Sequence, residues 1–232
     1  MHIEILAEDK SGSLVLENLF KTITDRRPLR HHFAVRPHRG KGLLPKDLDA
    51  KPKPMASGLL DLLAAKLRAY ASVCDSDEWL MVVVMDSDDQ DPEDLIRQIR
   101  QVTIRYSRNL PVVIGLSVEE MESWLLGDPS AIKFAYPDAG LHWAENYRQD
   151  SICGTWEILA YVIMGHQADR LIRLGYPAVG QHKSEWAVHI AKHMEPERNQ
   201  SPSFQRFYKK IITALEIYET KRNESGGYCS RD

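Results

Sequence analysis

Five acidic residues carry the chemistry open to this sequence: Glu8 after the apolar run H-I-E-I-L-A, Asp86 and Asp88 after W-L-M-V-V-V-M, and Glu119 and Glu122 in S-V-E-E-M-E-S-W. Residues two apart in an extended segment point the same way, so Asp86 and Asp88 share a face. Crowded carboxylates repel one another and take up protons unless a cation neutralises them, and hard oxygen ligands select Mg2+ or Mn2+ over zinc. Held by Glu8, Asp86 and Asp88, such an ion would polarise a phosphodiester and activate a water. If a helix starts near Glu119, Glu119 and Glu122 lie three apart on one side, placed to add a second ligand or a general base, while Glu120 points elsewhere. Acids in such places also serve as turn formers and N-caps, and that is the reading for Asp89, Asp91 and Asp128.

Cations that would meet a phosphate lie elsewhere in the chain. His38, Arg39 and Lys41 stand with two glycines in H-R-G-K-G, a flexible basic loop suited to phosphate contacts through backbone N–H groups and point charges, or else a solvated surface loop. Lys183 would set a charge over a leaving phosphate, or simply stand exposed at a helix start. His189 and His193 have the i, i+4 spacing of a zinc pair without the Glu of H-E-x-x-H, which argues against a zinc protease. Ser151 and Cys153 have no nucleophile elbow or base, and Cys153 is expected to pack against Trp156. The aromatic and basic stretch from Phe204 to Lys210 could stack bases, but its helical spacing fits a core face with a cationic outer side more simply.

These residues need a frame that brings distant segments together. Short apolar segments at His2 to Ala7, His31 to Arg36, Trp79 to Met85 and Pro111 to Leu116 read as strands, the third buried on both faces. Between them lie helical patterns: one from Leu14, one with Leu60, Leu63, Leu67 and Tyr70 on a face, and one from the Asp91-Pro92 cap to about Ser107. Strand and helix alternate, so the expected fold is α/β, a mostly parallel sheet of about four strands flanked by helices. In such a sheet ligands gather at the carboxyl ends of the strands, where Glu8 and Asp86 fall. From Glu119 the pattern turns helical. The expected division is a core over 1–128, a helical extension over 129–222 packed on it, and a flexible tail over 223–232.

Composition sets outer limits. The 232 residues suffice for a sizeable core, and the longest apolar stretch, near Leu80 to Met85, is far below the roughly 20 residues of a membrane span. No export signal is visible, and Cys74, Cys153 and Cys229 are widely spaced and odd in number, which points to a reducing cytoplasm. With a net charge of −3, nucleic-acid binding would need a local basic face.

Glu8 after the first strand and Asp86-Ser87-Asp88 after the third resemble the TOPRIM fold of topoisomerases, primases and OLD-type nucleases. More closely, the chain is similar to a bacterial and archaeal family of TOPRIM-like proteins, some of whose relatives act with ATPases in defence against phage. The matching segments are E-D-K-S-G from Glu8, H-R-G-K-G from His38, D-S-D-D from Asp86, E-E-M-E-S-W-L-L-G-D from Glu119, D-S-I-C-G-T-W-E from Asp150 and S-P-S-F from Ser201. The resemblance implies an Mg2+- or Mn2+-dependent nuclease with nucleic acid as substrate and an ATPase as partner, and an oligomer is compatible with it. Asp9 and Gly12 stand where the OLD pattern E-G-x-T-E has Gly and its second Glu, which implies one ligand fewer. The alternative is a non-catalytic subunit that binds a nucleotide or an ATPase through a TOPRIM-like domain.

Overall fold

The structure is a computed structural model that describes residues 1–74 and 77–226. Four strands, β1 (His2–Ala7), β2 (His32–Pro37), β3 (Trp79–Asp86) and β4 (Val112–Ser117), form one parallel sheet in the order β2-β1-β3-β4. Inner strands β1 and β3 are almost wholly buried, as their unbroken apolar runs require. The register pairs Ala7 with Pro37 and Val84, and Asp86 with Ser117, so all the carboxyl ends lie along one edge.

Helices cover both faces. On one side lie α1 (Lys10–Asp25) and the later helices α4 (Glu122–Leu126), α5 (Pro129–Ala135), α6 (Thr155–Met164), α7 (Ala168–Leu174), α8 (Ala178–Ala191) and α9 (Pro202–Gly226). On the other lie α2 (Leu59–Val73) and α3 (Pro92–Tyr106). The odd-numbered residues of β1 and even-numbered residues of β3, such as Ile5 and Val82, feed the first core, and Leu6 and Val83 feed the second. Phe204, Phe207, Ile211, Leu215 and Tyr218 form the buried stripe of α9 at the expected helical spacing. Gly115 of β4 allows α9 its close approach, because a Cβ there would sit 2.7 Å from the Phe207 ring.

Two boundaries differ from expectation. Helix α1 starts at Lys10, not Leu14, because the Asp9 carboxylate accepts the Gly12 N–H at 2.7 Å and the Ser11 hydroxyl at 2.6 Å and so caps it. Helix α9 runs on to Gly226, so the first residues of the expected tail are helical, while 227–232, with Cys229, lie outside the described residues. Asp91 and Asp128 cap α3 and α5 as expected. Among the described residues no helix is long and apolar enough to cross a membrane.

Candidate functional site

The chain leaves β1 through α1 on one face to reach β2, then returns through α2 on the other face to reach β3. The connections therefore diverge between β1 and β3, and this opens a crevice at their carboxyl ends, where ligands of open α/β sheets bind. Glu8 and Asp86 stand there. Glu8 accepts the Asp86 backbone N–H through Oε2 at 3.0 Å, and the Asp86 Oδ1 accepts the Ser117 hydroxyl at 2.5 Å. Burial, with Asp88 and Asp9 nearby, pushes the Glu8 carboxyl up to about 7. Asp86 is raised well above the carboxylate range, first by burial and then by Glu8.

The remaining acids are arranged less simply. Asp88 has a left-handed backbone, with φ of +48°, and pairs with the Lys41 ammonium, which also donates to the Ser87 carbonyl at 3.1 Å. Glu119 has φ of +62° and lies before α4, not within it, so it shares no helix face with Glu122. Its two oxygens accept the N–H groups of Gly154 at 2.8 Å and Thr155 at 2.9 Å, and so close the N-terminus of α6. It is Glu120, not Glu119, that joins Glu122. Both face Lys183, whose Nζ lies 3.2 Å from Glu120 and 3.1 Å from Glu122.

Lys183 is 8 % exposed, in the second turn of α8, and not a surface cation. Burial opposes its charge, but Glu122 and then Glu120 outweigh that and raise its pKa, with Asp86 adding to the effect. Glu120 itself is raised to about 7 by burial, against the pull of Lys183. Glu120 Oε2 is buried without a partner, while Glu122 Oε2 meets Lys183 as an ion pair, so Lys183 compensates both acids and leaves one Glu120 oxygen unbonded. Charge at the crevice is thus balanced by two ammonium groups, Lys41 and Lys183. Among the described residues, no three carboxylate, histidine or cysteine side chains stand together in a geometry that holds a metal ion. The donors are all oxygens, the type that suits Mg2+ or Mn2+, and Glu8 with Asp86 is the pair already adjacent.

The basic loop is better ordered than its composition suggests. Gly40, with φ of +86°, donates its N–H to the Glu8 carbonyl at 3.0 Å, and Lys41 is thereby aimed at the turn after β3. His38 is half-buried, donates its Nδ1–H to the Ala7 carbonyl at 2.8 Å, and is held below its usual pKa by burial. Arg39 is exposed. His189 touches the Tyr136 hydroxyl at 3.2 Å and His193 stacks on Phe134. Cys153 is exposed and does not pack in a core.

The last three quoted segments meet one another. Asp150 accepts the Ser203 N–H at 2.5 Å and the Ser201 hydroxyl at 2.8 Å, Trp124 donates to Ser203 Oγ at 2.9 Å, and Asn199 donates to the Trp124 carbonyl. With Glu119 on α6, these contacts latch α4, α6 and α9 behind the crevice. A family model matches residues 8–212 of this frame, from Glu8 to within α9. The chain belongs to the family described as Domain of unknown function (DUF4276). No curated protein and no solved structure matches it. Every residue of the DUF4276 crevice, including Glu8, Lys41, Asp86, Asp88, Glu120, Glu122 and Lys183, falls inside the matched span.

Sequence reasoning missed Glu120 and the tie of Lys183 to the acids. Their signal was an α/β crossover problem: nothing in the spacing of residues 119 and 183 reveals that α8 packs on α1 beside the strand ends.

Proposed function

We propose that this chain is a divalent-metal-dependent phosphodiesterase that cuts nucleic acid, of the TOPRIM and OLD type. The observation that carries the reading is the adjacent, half-buried Glu8–Asp86 pair at the point where the crossovers diverge. Two adjacent carboxyls in a partly desolvated crevice either keep a proton or take a cation, and a hard divalent ion is the partner their oxygens suit. Glu8 right after β1 and Asp86-Ser87-Asp88 at the end of β3 also match the arrangement on which the resemblance rests.

In this reading Glu8 and Asp86 hold the ion, and Asp88 joins them on leaving Lys41. When bound, the ion would polarise the phosphodiester and stabilise the leaving oxygen. Glu120, with one carboxyl oxygen left unbonded, takes the proton of the attacking water, and Lys183, held by Glu122, sets when it can do so. Lys41, released, and Arg39 contact the phosphate backbone. Glu119 acts by fixing α6 and not as a ligand. The resemblance extends the proposal to a cytoplasmic setting, an ATPase partner and a part in defence against phage.

One observation favours a second reading, a non-catalytic subunit that engages an ATPase or nucleotide: among the described residues no three acids stand in a metal-holding geometry, and lysines already compensate them. Calorimetric titration with Mn2+, paired with cleavage of labelled DNA and RNA, separates the two. The first reading expects Mn2+ binding and cleavage in the wild type, both lost in Glu8→Gln and Asp86→Asn with circular dichroism unchanged. A wild-type chain that takes up no Mn2+ at millimolar concentration would leave the second reading standing.

A further inference from the structure

β4 is an outer strand of the sheet. The Pro111 carbonyl accepts from Met81 and the Ser117 carbonyl from Ser87, both on the β3 side. Bonding alternates along a parallel ladder, so Val113 and Gly115 also face β3, while Val112 and Ile114 turn their N–H and C=O groups outward. No backbone group of the described residues bonds these outward groups.

They form the floor of a groove of about 890 Å3 between α3 and α9. Its walls are aliphatic, with Ile96 and Ile104 on one side and Ala214 and Ile217 on the other; Ile104 is 74 % and Ile217 55 % exposed. Five cations rim it: Arg100, Arg108, Arg206, Lys209 and Lys210. None of its lining residues is acidic, and none of the five cations forms an ion pair among the described residues, in a chain whose net charge is −3. Burial, then Arg100 and Arg206, hold the Lys210 ammonium below its usual range, against a smaller opposing pull from Glu93 outside the groove lining.

We propose that this groove binds an extended acidic peptide of a partner protein, which pairs with β4 as a fifth strand. Main-chain bonds to Val112 and Ile114 give the peptide its register, alternate apolar side chains rest on Ile96 and Ile104 of α3, and the carboxylates on its opposite face meet Arg206, Lys209 and Lys210 of α9. A nucleic-acid strand fits less well: the lining has no aromatic ring on which bases could stack, and the unpaired groups repeat at strand spacing. If the cations served only to discourage edge-to-edge aggregation, they would need no ligand. This inference does not rest on the phosphodiesterase reading.

Fluorescence anisotropy with the full chain tests it, using a labelled peptide of about six alternating Glu and Val residues. The acidic peptide is expected to bind, and the Arg206→Glu, Lys210→Glu double variant to weaken it by roughly tenfold or more. On the unaltered chain, N-methylation of one of the two sets of alternate peptide amides should cause a similar loss with charge unchanged, a readout that requires no variant to fold. Absence of peptide binding would overturn the proposal and leave the cations as an edge guard. A single-stranded oligonucleotide that binds while the peptide does not would reassign the groove to nucleic acid, and indifference to both N-methylated series would reduce the contact to charge alone.

Discussion

Replacing Lys183 with methionine removes the charge that compensates two acids while keeping the length and apolar stem of the side chain. The ammonium is 3.1 Å from Glu122, which is 2 % exposed, and 3.2 Å from Glu120. At an effective dielectric of about 20, charges about 3 Å apart attract by roughly 5 kcal/mol, much of it offset by the desolvation of both groups. What the variant exposes is the cost of a buried carboxylate left alone, about 3–5 kcal/mol. With a urea dependence of about 2–3 kcal/mol/M, the unfolding midpoint at pH 8 should fall by roughly 1–2.5 M. Because the stranded carboxyls can take protons, the deficit should shrink as the pH is lowered. Adding Glu122→Gln to Lys183→Met should recover part of the loss, a coupling of about 1–3 kcal/mol. A loss below about 1 kcal/mol, or strictly additive single and double variants, would refute the view that Lys183 is held in place by these acids.

Two further outcomes follow from the same geometry. The folded chain keeps protons on Glu8 and Glu120, both raised to about 7, that the unfolded chain releases near pH 4.5, so this share of stability is present in full below about 4.5 and is lost by about 7. Urea midpoints measured from pH 5 to 8 should therefore decline and then level off, Glu8→Gln should flatten the decline, and a profile unchanged by that substitution would contradict the assignment. Gly115→Ala would place a methyl 2.7 Å from the Phe207 ring, backed by Trp124 stacked at 5.2 Å, and should cost about 1–3 kcal/mol in thermal unfolding.

Sequence alone determined the sheet and its order of elements. Strands as uniformly apolar as Trp79 to Met85 are stable only when covered on both faces, and the Asp91-Pro92 and Asp128-Pro129 caps mark helix starts through contacts within a few residues. It also placed Glu8 and Asp86 at strand ends, because the register of a parallel sheet puts those ends on one edge. Tertiary structure decided which acids meet. A positive φ at Glu119 swings that residue away to α6 and leaves Glu120 beside Glu122, and a lysine more than sixty positions later arrives between them only because α8 packs against α1. Contacts at that separation are set by the packing of helices on a sheet face, and local spacing carries no record of them. The same holds for the β4 edge, whose cations come from α3, the turn after it and α9, and gather only once both helices flank the strand.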